Sequence, residues 1–403
     1  MSSQASEYLD EHQQDLVETL VQLVQTETTN PYCGDRNPSG EGPGQEVLAK
    51  IAGDLGEVTT FEPPPDIYER MGVLGPLGRD FSGRPNLVIE IDLPSDGPTV
   101  VINGHMDTVG IDNMTIEPLA AEVRDGWVHG RGTSDCKGGI TIALWAVRAA
   151  LATGDNLGGK IIFESVVDEE CNGSGAGTLA CLDAGYRGDV AIFVDGYDRR
   201  VSRGCYGCLT AEVLVEGREG HAASSTGVSA IEKALVIKQG LDEFKRRREE
   251  LYPDARVNLG VFNAGTHPAV VPGLADLQLN IVYRLEDARA SVEAGHPWGA
   301  ALLREEFTAA VMKAAATDEW FADHPPQVGW IKDLIPFEEP LDSPWLAALQ
   351  QAYREATAEE PELHFMIGWT DASYYSALAG IPTFLIGPSA DGAAHSPTEQ
   401  VEL

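Results

Sequence analysis

The chain has 403 residues, 43% of them hydrophobic, more than one hydrophobic core usually holds, so two domains are expected. Sixty-three acidic residues against 28 basic ones leave a formal charge of −35, a surface whose field repels nucleic acid and anionic lipid. No run reaches the apolar length of a membrane span. The N-terminal Met-Ser-Ser-Gln-Ala-Ser-Glu has neither the basic start nor the apolar stretch of a signal peptide, so a cytoplasmic protein is expected. Only eight of the basic residues are Lys, and this acidic, Lys-poor surface fits either adaptation to high salt, which screens self-repulsion, or an ordinary acidic enzyme. The six Cys, at 33, 136, 171, 181, 205 and 208, are too sparse for a disulfide scaffold and are expected to be reduced. Cys205-Tyr-Gly-Cys208 has no second pair and reads as small residues in or beside a strand.

Apolar residues at helical spacing, Leu16, Leu20, Leu23 and Val24, predict an amphipathic opening helix over about 6–26. After a Pro- and Gly-rich stretch, 30–44, come a helix over 45–55, strands over 87–92 and 99–103, and a helix over 138–152. Strand 161–167, helix 177–184 and strand 190–194 complete a βαβ rhythm, which implies a mostly parallel sheet covered on both faces. From Cys208 the pattern changes to alternation through Val215, followed by a helix near 227–250, strands near 256–263 and 274–284, and a helix near 299–316. This predicts a small antiparallel α+β module inserted into the larger sheet. The Pro-rich segment 336–344 leads back to helices over 344–356 and 370–379, a strand over 382–386 and the loop carrying His395. The expected division is 1–206 with 332–403 as one unit and 207–331 as the insert.

Short polar strings close the β-branched runs, where ligands of open α/β sheets gather. In Gly104-His105-Met106-Asp107 the side chains at 105 and 107 share a face in extended geometry, so the Asp107 carboxylate can hold the imidazole. Asp135 sits between Gly130-Arg-Gly-Thr-Ser and Lys137-Gly-Gly, a flexible approach that lets a carboxylate protrude at a helix start. Glu169 and Glu170 adjoin at a strand end and point apart, so one can ligate metal while the other faces the substrate water as a general base. His105, Asp135 and Asp195 can serve one divalent ion, and Asp135, Glu170 and His395 a second, about 3.5–4 Å away. Oxygen and imidazole ligands suit zinc first, with cobalt or manganese as alternatives. His12, His129, His296, His324 and His364 read as ordinary structural residues.

The ordered strings Asn103-Gly-His105-Met-Asp107-Thr-Val109, Gly130-Arg-Gly-Thr-Ser-Asp135-Cys-Lys-Gly139, Asp168-Glu-Glu170, Gly220-His221-Ala-Ala223, Gly368-Trp-Thr-Asp371-Ala372 and Ala394-His-Ser-Pro-Thr-Glu399 carry a resemblance. The chain resembles the M20 metallopeptidase family, which includes acetylornithine deacetylase, succinyl-diaminopimelate desuccinylase, aminoacylase and carboxypeptidase G-type enzymes, and the resemblance spans essentially the whole chain. It implies a zinc-hydrolase catalytic domain with an inserted dimerisation, or lid, domain. It also implies His105, Asp135, Glu170, Asp195 and His395 as ligands of two metal ions, Glu169 as acid/base and Asp107 as the residue orienting His105. His221 would reach across a homodimer to stabilise the oxyanion.

Three departures bear on substrate. Thr266-His-Pro-Ala269 and Ser373 stand where the family often has Asn and Arg, and Arg284 is the candidate to bind a substrate carboxylate instead. Asp195 leans toward dipeptidases, whereas deacylases tend to have Glu. The expected activity is metal-dependent hydrolysis of a small N-acyl amino acid or related amide. A dipeptidase or aminopeptidase, or a binding protein that kept the fold, are the alternatives. Cys136 and Cys171 flank two of the implied ligands, so thiol reagents are expected to inhibit. Raising KCl from about 0.1 M to about 1 M, which shortens the screening length from about 10 Å to about 3 Å, is expected to raise the melting temperature; a flat or falling value would remove the high-salt reading.

Overall fold

The computed structural model describes residues 3–154, 157–170, 174–254, 256–390 and 394–403. A nine-stranded mixed sheet carries the N- and C-terminal parts of the chain. Its centre is four parallel neighbours, Gly158–Val166, Ser95–His105, Val190–Phe193 and Thr383–Leu385. Antiparallel strands extend it on both sides: Asn86–Asp92 and Glu57–Phe61 at one margin, Val201–Cys205 and Phe337–Glu338 at the other. Leu363–Met366 also pairs with Val201–Cys205, in parallel. The sheet is thus parallel where the polar strings end its strands and antiparallel at its margins.

Period-two alternation sends neighbouring residues of these strands into different cores. Leu87, Ile89 and Phe163 pack with Ile140, Leu144 and Val147 of the helix Lys137–Thr153. Val88, Val101 and Ile162 pack with Leu179 and Leu182 of Ala176–Asp183 and with Tyr374 and Tyr375. Each fully buried Leu, Ile or Phe contributes roughly 1.5–3 kcal/mol, so both faces hold the sheet firmly. A small antiparallel sheet, Gln400–Glu402 on Trp127–His129 on Glu122–Arg124, docks the C-terminal strand.

A separate four-stranded antiparallel sheet runs in the order Val257–Ala264, Leu274–Tyr283, Gly207–Glu216, Gln327–Leu334. Leu209, Ala211, Val213 and Val215 are fully buried on one face, against Ile237, Leu241 and Phe244 of the helix Ala230–Leu251 and Phe307 and Val311 of Ala301–Ala315. The chain leaves the large sheet after Val201–Cys205, enters the small one at Gly207, and leaves it again after Leu334.

Several expected elements differ in detail. The opening helix is broken at His12 into Ser3–Glu11 and Gln13–Gln25. The helix expected over 370–379 is a single π-turn, Tyr374–Leu378. Cys136, Cys181, Cys205 and Cys208 are free, whereas Cys33 is disulfide-bonded, so the expectation of reduced cysteines fails for Cys33; Cys171 lies outside the described residues. Among the described residues no helix is long and apolar enough to cross a membrane.

Glu164, in the central strand, is buried and accepts hydrogen bonds from Asn103 Nδ2 at 2.8 Å and Tyr375 Oη at 2.7 Å. Burial pushes its carboxyl up from 4.5 to about 7, against those two donors. Between pH 4.5 and 7 the unfolded chain has released this proton while the folded chain keeps it, so its contribution to stability declines as pH rises through that window. Glu164→Gln is expected to flatten the pH dependence of chemical-denaturation stability there; an unchanged slope would show that Glu164 does not set it.

Candidate metal centre and active site

Three parallel strand ends and two loops build the site. Strand Ser95–His105 delivers His105, with Gly104 before it because a Cβ there would lie 2.7 Å from Val194 Cγ2 and 2.9 Å from Ile140 Cγ1. Strand Gly158–Val166 leads to Glu169 and Glu170, and Val190–Phe193 leads to Asp195. The loop before the helix Lys137–Thr153 supplies Asp135, joined to Cys136 by a cis peptide bond, and the loop before Gln400–Glu402 supplies His395.

Asp135 stands in the middle. Its Oδ1 lies 2.9 Å from His105 Nε2 and its Oδ2 lies 3.2 Å from His395 Nε2. Asp195 Oδ1 is 3.9 Å from His105 Nε2, and Glu170 Oε2 is 3.0 Å from His395 Nε2. The five side chains expected to share a site therefore do converge, with Asp135 between an Asp195 side and a Glu170 side. His105 Nδ1 is 2.9 Å from the Asp107 carbonyl oxygen and 3.6 Å from its carboxylate. The carboxylate of Asp107 mainly accepts from Asn30 Nδ2 at 2.8 Å and from the backbone N–H groups of Glu170 and Glu169, at 2.9 and 3.3 Å. It ties two adjacent strand ends together.

The electrostatics ask for cations. Burial, then the neighbouring Asp135, pushes the Asp195 carboxyl well up, and the same causes bring Glu170 to about 7. Glu169 is half-buried at the cleft, and burial raises its carboxyl well above the ordinary range. His395 is pushed up to about 11 by its hydrogen bonds to Asp135 and Glu170. His105, Asp135 and Glu170 bring one donor atom each within 4.8 Å of one another, with His395 beside Asp135 and Glu170, a donor set that suits a divalent ion. Cys136 also falls in that range of His105 and Asp195, but burial pushes its thiol well up, so oxygen and nitrogen donors fit best. Its full burial also shields it, which corrects the expected reagent sensitivity at Cys136.

The cluster opens into a cleft of about 420 Å³ between the two large sheets. Glu169, Glu170, His395 and Trp369 line one side; Cys208, Asn280, Val282, Lys332 and Leu334 of the small sheet line the other. Trp369 is pinned by its Nε1, which donates to Ser373 Oγ at 3.0 Å and Ile335 O at 3.2 Å. His221 is not among the described lining residues. It is exposed in a two-residue strand paired with Val270–Val271, and its Nδ1 accepts from Ala223 N–H. Arg284 is not among them either: its guanidinium meets Asp254 at 3.4 Å and Glu286 at 3.3 Å and lies over Tyr206 and Tyr252.

Sequence reasoning assigned no role to Glu399, Asn30, Glu41 or Arg84. The Glu399 carboxylate accepts from Ser134 Oγ at 2.9 Å, Ser134 N–H at 3.0 Å and Asp135 N–H at 3.2 Å, and pairs with Arg131 at 2.6 Å. Its place four residues after His395 was the available signal.

An open α/β sheet whose parallel strands end in a buried imidazole and carboxylate cluster, facing an inserted antiparallel sheet, defines a metallohydrolase architecture. The family model "Peptidase family M20/M25/M40" matches residues 101–403, and the chain belongs to that family, whose members hydrolyse amide bonds. It is 29% identical over 335 aligned positions to an N-formyl-4-amino-5-aminomethyl-2-methylpyrimidine deformylase of Halalkalibacterium halodurans, covering 76% of this chain and 75% of that protein. To the Bacillus subtilis protein of the same name it is 26% identical over 427 aligned positions, covering 98% and 92%. The fold matches the Saccharomyces cerevisiae di-peptidase Dug1p with a TM-score of 0.71 at 14% identity, covering 99% and 94% of the two chains. It also matches a dinuclear metal-binding M20 peptidase of Bacillus subtilis with a TM-score of 0.64 at 15% identity, covering 98% and 94%.

Because Glu399 holds the Asp135 backbone from behind, Glu399→Ala is expected to weaken divalent-metal binding about 10–100-fold by calorimetry. Unchanged affinity would mean that Asp135 keeps its place without it.

Proposed function

We propose that the protein is a two-metal deacylase that removes a small acyl group, formyl foremost, from a neutral amine-bearing substrate. The carrying observation is Glu169 at the cleft wall beside the convergent His105, Asp135, Glu170, Asp195 and His395. His105, Asp135 and Asp195 would hold one zinc ion, and Asp135, Glu170 and His395 the other. When bound, such ions supply Lewis-acid stabilisation of the developing oxyanion and acidify the attacking water. Glu169 takes the proton of that water and returns one to the leaving nitrogen, a task suited to a carboxyl raised by burial. The expected boundary at 331/332 falls inside the strand Gln327–Leu334, so in this reading 1–206 with 335–403 form the catalytic unit, and 207–334 form a lid that pairs with a second copy. His221, exposed and outside its own chain's cleft, would serve the oxyanion in the partner's site.

The cleft supports a substrate without a carboxylate. No arginine is among its described lining residues, burial lowers the pKa of the Lys332 ammonium that does line it, Arg284 is engaged elsewhere, and Ser373 is buried holding Trp369. The indole face, the Asn280 amide and the apolar Val282, Leu334 and Ile367 suit a flat heterocyclic amine, in line with the pyrimidine named for the relatives. Asp195 favours a second reading, a dipeptidase requiring a free substrate amine.

The deciding experiment is hydrolysis of an N-formyl aminomethylpyrimidine, N-formyl and N-acetyl amino acids and unblocked dipeptides, with zinc, cobalt or manganese, in low and high salt. Turnover led by the formyl heterocycle is expected, and turnover confined to unblocked dipeptides would overturn the deacylase. Chelation is expected to abolish activity and added metal to restore it. Glu169→Gln is expected to lower kcat by about 10²–10⁴-fold, the usual range for a general acid–base group, with metal content unchanged. His221→Ala should lower turnover with both metals retained, and unchanged kinetics would count against the oxyanion role.

A further inference from the structure

We propose that Glu41 and Arg84, buried behind the metal cluster, are positioning residues that aim the Glu169–Glu170 pair by locking the turn at Asp168; the inference rests on the deacylase reading for its kinetic arm. Arg84 closes a two-point fork on Glu41, Nε to Oε2 and Nη2 to Oε1, each at 2.6 Å, with side chains 5% and 0% exposed. The same pair then grips Asp168 twice. Arg84 Nη2 donates to Asp168 Oδ1 at 3.0 Å, and Glu41 Oε1 accepts the Asp168 backbone N–H at 3.2 Å.

The remaining polar groups of Asp168 are also engaged. Tyr68 Oη donates to its Oδ2 at 3.1 Å, Asn30 Nδ2 approaches its Oδ1 at 3.4 Å, and its carbonyl accepts Gly175 N–H at 3.0 Å. Asp168 has φ +65°, the left-handed region that a residue with a Cβ rarely adopts. The clamp thus holds an unfavourable turn, and that turn takes the chain out of the strand Gly158–Val166. It sets Glu169 and Glu170 facing the cleft, with their N–H groups on Asp107. Glu41, Arg84 and Tyr68 are not among the described residues lining the cleft, so they act through Asp168. An ammonium could keep the charge of Arg84 but not its planar fork.

Two variants separate aim from stability. Arg84→Lys keeps the buried cation and loses the fork, and Tyr68→Phe removes one bond to Asp168 without changing charge. In the metal-loaded protein, both are expected to lower kcat on a formylated amine with KM within about twofold, Arg84→Lys by about 10–100-fold as expected for a misplaced reacting group. Two metals per chain should remain bound, and the visible absorption of the cobalt-substituted protein should shift as Glu170 moves. Unchanged kcat in both variants, or losses that only track lost metal or unfolded protein, would overturn the proposal. If the wild-type protein hydrolyses no amide, the deacylase reading fails by itself and the cobalt spectrum decides: a shift in Arg84→Lys upholds the positioning role, and an identical spectrum ends it.

Discussion

Burying carboxylates together is the constraint on which the rest of this structure depends. Glu41, Asp107, Asp135, Asp168, Glu170 and Asp195 all lie out of solvent at one end of one sheet. A buried carboxylate without a donor or a countercharge is among the most unfavourable groups a fold can contain. Two solutions operate side by side. Behind the site the protein supplies its own donors: the Arg84 fork, the Asn30 amide, the Tyr68 hydroxyl and the N–H groups of residues 168 to 170. In front, among the described residues, His105 and His395 stand among the carboxylates with Lys332 across the cleft, and that shortage of positive charge makes the cluster a candidate cation site.

The two solutions are joined by single residues. Asp107 reaches from the end of the His105 strand to the backbone of Glu169 and Glu170, so the two carboxylates keep a fixed distance from His105. Glu399 does the equivalent for Asp135 from the C-terminal segment. The left-handed turns at Asp168 and His395, each costing about 1–2 kcal/mol for a residue with a Cβ, sit in these junctions. Backbone strain of this size persists only where surrounding bonds over-determine it, and at Asp168 they do.

The cleft is a property of neither sheet alone. The chain passes from Val201–Cys205 to Gly207–Glu216 with one residue between, and returns from Gln327–Leu334 to Phe337–Glu338, so the two sheets stay adjacent. One face of the small sheet packs on its helices, and the other brings Cys208, Asn280 and Lys332 opposite Glu169. The carboxylate cluster and the far wall of the cleft are therefore carried by different sheets.

Much of this was legible before any coordinates. The βαβ rhythm, the alternation from Cys208 onward and the polar strings closing β-branched runs are local signals, because hydrophobic period and chain punctuation are written in consecutive residues. They sufficed to place the parallel centre, the inserted module and the convergence of His105, Asp135, Glu170, Asp195 and His395. The strands Val201–Cys205 and Gln327–Leu334 were not legible, since Ser202, Arg203, Lys332 and Asp333 break the apolar pattern, and Ser202, Lys332 and Asp333 are buried only by what packs around them. Nor were Glu41, Arg84 and Glu399, which act on residues 43 to 268 positions away, with no periodicity to mark them. The sequence by itself determined which side chains end the strands, and hence the class of chemistry. Only the tertiary structure decided how those carboxylates are held, and that Arg284 and His221 lie outside the cleft of their own chain, because charge burial and side-chain aim depend on neighbours distant in the chain.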